Sequence, residues 1–139
     1  MYLGWLIIGV SLQACTVDVI QVSEIEFFIA KEWKITTVYS DGQPQTEEDM
    51  LADDKLENYR LDIKDDFTFE RTWFDGSKTA GTWQLTSGLS QLVLFAGEPH
   101  EERWLLIDLK LRRLEMRLLQ EPTKPQLDIR YELEPVRGQ

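Results

Sequence analysis

From Lys31 onward, apolar and polar residues alternate in short runs separated by turn residues, the pattern of consecutive antiparallel strands. Trp33, Ile35, Thr37 and Tyr39 fall on one face of the first run, and Tyr59, Leu61 and Ile63 on one face of the second. Phe67, Phe69 and Trp73 continue the theme, and residues 79–86 carry Gly81, Trp83 and Leu85 on one side. Residues 91–96 form a short apolar strand suited to burial on both faces, and runs 103–109 and 113–120 follow. The last run, 127–135, alternates without a fault. Leu127, Ile129, Tyr131 and Leu133 point one way, and Asp128, Arg130, Glu132 and Glu134 the other.

Between the runs stand Lys64-Asp65-Asp66, Asp75-Gly76-Ser77-Lys78, Ser87-Gly88, Gly97-Glu98-Pro99 and Leu111-Arg112, most of them short enough for hairpins. About eight strands joined by sequential hairpins make an up-and-down meander, and closing it into a barrel removes two aggregation-prone edges. The expected fold is therefore all-β, an eight-stranded antiparallel barrel. Segment 46–57 breaks the alternation and suits one short helix between the first two strands. Thr46 would be its N-cap, with Glu47, Glu48 and Asp49 at the positive end of the helix dipole. Met50, Leu51 and Leu56 would then cover one barrel mouth; the other reading of the segment is a solvated loop.

The first residues differ from the rest. Leu3 to Val10 is an apolar run too short to span a bilayer, which needs about 20 residues, and it reads as the core of a signal peptide. Leu12-Gln13-Ala14-Cys15 resembles the bacterial lipobox, which implies cleavage after residue 14 and a lipidated Cys15. The expected organisation is a lipoprotein signal peptide at 1–14, the lipidated cysteine with tether and lead-in at 15–30, and one barrel domain at 31–139. Ile25, Phe27, Phe28 and Ile29 would start the fold. The competing reading is a buried N-terminal strand with an ordinary core cysteine. Lipidation would place the domain outside the cytoplasm, anchored to a membrane of the bacterial cell envelope by acyl chains alone.

Composition narrows the functions. At 139 residues, with 42% hydrophobic and 29% charged content, the chain matches one folded domain. A formal charge of −10 argues against nucleic acid, whose affinity comes from cationic side chains neutralising phosphates. Most of the acidic excess lies between Asp41 and Asp66. One cysteine rules out an intrachain disulfide.

Candidate chemistry is sparse. The lone His100 stands in a turn among acids, whereas transition-metal sites want several converging ligands. The acids Asp49, Asp53, Asp54, Glu57, Asp65 and Asp66 lack EF-hand spacing and its glycine. Ser77, Ser87 and Ser90 sit in turns, without a nucleophile motif. No metal, cofactor or catalytic group is expected.

Several local features together resemble the lipocalin-like domains of bacterial lipoproteins. They are Trp33 on the first strand, Tyr59-Arg60-Leu61-Asp62-Ile63 running into Asp66-Phe67-Thr68-Phe69, Gly81-Thr82-Trp83, Trp104 with Leu106, Leu109 and Leu114, and the terminal Tyr131-Glu132-Leu133-Glu134-Pro135. Two glycine positions of lipocalins are held here by Lys31 and Phe67. The resemblance implies an eight-stranded barrel around an apolar cavity, and an arginine stacked on a tryptophan; Arg117 and Arg130 either face outward or one of them caps the core in that way.

Inward-facing Trp33, Tyr59, Phe69, Trp73, Trp83, Met116, Leu118 and Tyr131 are the candidate lining of that cavity. Barrels of eight strands are wide enough either to be filled by their own side chains or to hold one small ligand. Two functions follow. One is an anchored barrel binding a small apolar or amphipathic molecule without catalysis. The other is a filled barrel that contacts another envelope protein through its acidic region or rim.

Overall fold

The computed structural model describes residues 26–86, 88–120 and 128–137. Cys15, the proposed signal peptide, Ser87 and Leu127 lie outside these.

Among the described residues nine antiparallel strands make one sheet: β1 (Glu32–Ser40), β2 (Gln43–Pro44), β3 (Arg60–Ile63), β4 (Thr68–Thr72), β5 (Lys78–Thr86), β6 (Gln91–Leu94), β7 (Glu102–Lys110), β8 (Arg113–Gln120) and β9 (Ile129–Pro135). Each long strand pairs with the next, and β9 returns to β1 along its whole length, so the meander closes as a barrel. β2 is a two-residue addition folded back on the end of β1. Asp66 and Asp75 set two of the tight turns. Each carboxylate accepts the backbone N–H and the hydroxyl of the residue two further on, Thr68 and Ser77 respectively. No helix among the described residues is long and apolar enough to cross a membrane.

The register defines two ends. The start of β1 meets the ends of β3 and β9, together with the turns at 64–67, 88–90 and 111–112. A helical turn at 26–29 plugs this end: Ile29 is fully buried, its carbonyl accepts the Trp33 indole N–H at 2.9 Å, and Phe27 and Phe28 stay exposed. Above the Trp33 ring lies Lys31 Nζ, 5.4 Å from the centroid, donating to the Leu111 carbonyl. The opposite end gathers the 41–59 connection and the 73–77 turn around an opening.

Most of the expected inward residues form one core, including Trp33, Leu61, Ile63, Phe69, Trp83, Leu92, Leu94, Leu114, Met116 and Leu133. Strand β6 is buried on both faces, Val93 as fully as its neighbours. Phe67 occupies a left-handed conformation (φ 66°) of the kind a glycine adopts freely, with its ring against Trp83 at 5.1 Å.

Two expectations are corrected. Thr37 and Tyr39 do not face inward, because Ile35 and Thr37 pair with successive residues of β9 and Thr36 is an extra, bulged residue. Val38 takes the inward place, and the Thr36 hydroxyl donates to the Glu132 carbonyl at 3.1 Å. The helical segment is two 3-10 turns, Glu47–Asp49 and Leu56–Asn58, rather than one continuous helix. Thr46 does cap the first, with its N–H and hydroxyl both donating to Asp49, but Met50 turns extended directly afterwards.

Candidate functional site

Strict alternation along β4 carries a charged residue inward: Phe69 and Arg71 share a face, and Arg71 is 2% exposed. On β7 the same rule brings in Glu102, 7% exposed, beside Trp104. The two charges meet in a fork. Arg71 Nη1 and Nη2 donate to Glu102 Oε1 and Oε2 at 2.8 and 2.6 Å, and Trp104 Nε1 donates to Oε1 at 3.2 Å. The guanidinium carbon sits over the Trp73 ring, 3.8 Å from its centroid. Burial is the largest single influence on the Arg71 cation and opposes it, but the hydrogen bonds to Glu102 together with the electrostatic attraction of Tyr59, Glu102 and Tyr131 hold the pKa above its ordinary value.

Tyr59 packs against this pair, its ring 5.5 Å from Tyr131 and 6.3 Å from Trp73. Burial pushes its hydroxyl up to about 12, against the pull of the Arg71 charge. Tyr59 Oη and Arg71 Nε are both buried without a hydrogen-bond partner of good geometry among the described residues.

Above the pair, a cavity of about 360 Å³ opens at the unplugged end. Its aromatic walls are Trp73, Phe74, Trp104 and Tyr131, the last two 4.9 Å apart. Leu51, Leu118 and Ile129 add aliphatic surface; Asp54, Asp75, Ser77 and Glu102 supply the polar groups. The connection is tied to the wall, since Lys55 N–H and Asn58 Nδ2 both donate to the Phe74 carbonyl at 2.9 Å.

Of the eight candidate lining residues, Trp73, Leu118 and Tyr131 reach the cavity, whereas Trp33, Tyr59, Phe69, Trp83 and Met116 fill the barrel beneath it. Leu51 borders the mouth as expected, and Met50 and Leu56 pack against the core. Arg71, Glu102, Phe74 and Trp104 are the site residues that pattern reading missed. Arg117 and Arg130 lie on the outer surface, Arg117 paired with Asp128 at 3.0 Å and Arg130 over the Tyr39 ring at 4.2 Å. The arginine stacked on a tryptophan is Arg71. His100 is exposed against Phe95, and no three metal-ligating side chains converge among the described residues.

No family model matches the chain, and no curated protein does. Among solved structures it is similar to a lipocalin-like protein from Bacteroides uniformis, with TM-score 0.51 and 16% identity over 78% of this chain and 99% of that one. It also resembles an uncharacterized protein from Bacteroides eggerthii, with TM-score 0.48 and 14% identity over 77% and 98% of the two chains. The closed meander, its plugged end and the first of these likenesses agree: the fold is lipocalin-like.

Proposed function

We propose that this barrel binds a small amphipathic molecule in its open mouth and does not transform it. The observation that carries the reading is the cavity of about 360 Å³, within the range of small-molecule sites, with aromatic walls from β7, β9 and the turn after β4 and polar groups at its rim. The filled core beneath means that the ligand sits at the mouth, not deep in the barrel. Glu102, the buried acid of the site, has both oxygens engaged by Arg71, an arrangement suited to holding walls in place rather than to moving protons.

The same filled core favours a second reading, an interaction module whose rim contacts another protein. Native mass spectrometry of the protein purified gently from its cells, followed by organic extraction, decides between them. A discrete extractable adduct is expected. A clean apo mass, with no fluorescence response to a panel of short amphiphiles, would overturn ligand binding in favour of the module.

Anchoring through Cys15 belongs to the same proposal and rests on the lipobox-like Leu12-Gln13-Ala14-Cys15. The described chain begins at the plugged end, so a tether leading there would leave the mouth turned away from the lipid. Metabolic labelling with a fatty-acid analogue should mark the wild-type protein and not Cys15→Ser; equal labelling would remove the anchor.

A further inference from the structure

The lining of the mouth has an unbalanced charge. Asp54, Asp75 and Glu102 border the cavity, and among the described residues no Lys, Arg or His does. Glu102 is neutralised from beneath by Arg71, but Asp54 and Asp75 form no ion pair among the described residues. Ser77 takes one oxygen of Asp75, through its N–H at 2.9 Å and its hydroxyl at 2.7 Å, which holds this carboxyl below its usual range and leaves the other oxygen available.

Arg71, the cation paired with Glu102, is not offered to a ligand. It does not border the cavity, both Nη atoms are spent on Glu102, and one face of the guanidinium is against Trp73. An anion could reach it only by displacing Glu102 and enduring two further carboxylates. The four aromatic walls point the same way, because the negative face of an aromatic ring attracts a cation held within about 6 Å of its centroid. The chain's overall charge of −10 also concentrates cations near the opening.

We infer that the mouth selects a cationic amphiphile, an amine or quaternary ammonium on a short apolar body, over neutral and anionic molecules of the same shape. This rests on the mouth being the binding site. The aromatic walls take the apolar body and the edge of the cation, and Asp54 and Asp75 supply the opposite charge at the rim.

The test titrates the full chain with three ligands sharing one tail, octyltrimethylammonium, octanol and octanoate, reading tryptophan fluorescence and calorimetry at low ionic strength. The cation should bind about tenfold tighter than the alcohol, with the carboxylate weakest, since aromatic contact and partly exposed ion pairs each contribute modestly. That preference should shrink severalfold in Asp54→Asn/Asp75→Asn, and equally in wild type at high salt, a readout that does not depend on the variant folding. Octanol or octanoate binding as tightly as the cation would overturn the charge selection while leaving the mouth as a binding site. No response to any of the three would overturn the mouth reading itself, and the selection with it. A cation preference insensitive to both salt and the double substitution would also refute the role given to the two aspartates.

Discussion

Removing Glu102 alone from the Arg71–Glu102 pair should damage the fold far more than removing both members. Arg71 is 2% exposed and does not border the cavity, so Glu102→Leu strands a buried guanidinium whose Nε has no hydrogen-bond partner of good geometry among the described residues. Breaking a buried pair in this way costs about 3 to 5 kcal/mol, a large part of the roughly 5 to 15 kcal/mol that holds a domain of this size together. Glu102, by contrast, borders the mouth. In Arg71→Met its carboxylate can be hydrated from the cavity and keeps the Trp104 N–H, so the loss should be smaller, about 1 to 3 kcal/mol.

The double variant Arg71→Met/Glu102→Leu replaces the fork with apolar side chains of similar bulk and should lie within about 1 to 2 kcal/mol of wild type. The cycle therefore closes with a coupling of about 2 kcal/mol or more. Urea unfolding followed by far-ultraviolet circular dichroism measures it, because Trp73 and Trp104 touch the pair and would make fluorescence amplitudes differ among the variants. Additive single losses, or a Glu102→Leu loss below about 1 kcal/mol, would refute the buried pair as described.

Three other perturbations test separate parts of the structure. Gly81→Ala should destabilise by about 1 to 3 kcal/mol in thermal unfolding, because a Cβ there would collide with the buried Phe95 ring, 2.6 Å from Cδ1, and press on Phe69 at 3.1 Å. Ile29→Ala should cost about 2 to 4 kcal/mol and expose Trp33 to fluorescence quenchers, since the plug is fully buried; an unchanged midpoint would mean that the 26–29 turn closes nothing. Tyr59 has a folded pKa raised to about 12, so its contribution is complete below the unfolded value near 10 and is lost as pH climbs through 12. Wild type should lose stability over that window by on the order of 2 kcal/mol more than Tyr59→Phe, which at neutral pH should be nearly neutral because it deletes a buried hydroxyl with no hydrogen-bond partner of good geometry among the described residues; parallel pH profiles would contradict it.

The alternation of the strands made the barrel legible because each strand has one face to bury and a slip by one residue reverses the whole set. The same arithmetic failed in β1, where nothing in Ile35-Thr36-Thr37-Val38 announces that one threonine will bulge and hand the inward place to Val38. Segment 46–57 carried a real capping signal at Thr46, but its two stretches each close only a single 3-10 turn. Arg71 and Glu102 were legible in principle. Phe69, Arg71 and Trp73 share a period of two, as do Glu102 and Trp104, and the opposite charges at the inward positions are the signal of a buried pair. They are passed over when charge is taken to mean exposure, a rule that fails where a bidentate partner meets each charge. Whether the eight candidate residues lined a cavity or filled one depended on side-chain volumes summed across strands, which no single strand reveals.

The pair also explains why the mouth does not close. An eight-stranded barrel with only apolar inward residues fills along its length, as this one does from Trp33 to Met116. At the other end Arg71 occupies one face of the Trp73 ring, and Glu102 fixes the Trp104 indole by its N–H, so both tryptophans are held at the wall instead of folding into the barrel axis. If a Met and a Leu can stabilise the barrel about as well, stability alone gives no reason for a buried ion pair at this level. What the charges provide and hydrocarbon cannot is fixed orientation of two aromatic walls together with full neutralisation of Glu102, leaving Asp54 and Asp75 to set the sign of the opening. Arg71→Met/Glu102→Leu should therefore unfold nearly as wild type yet bind the octyl ammonium probe at least several-fold more weakly, since an exposed mouth of mobile aromatics must lose rotamer freedom on binding. Unchanged affinity in that folded variant would leave the pair as a packing solution and take from it the role of holding the mouth.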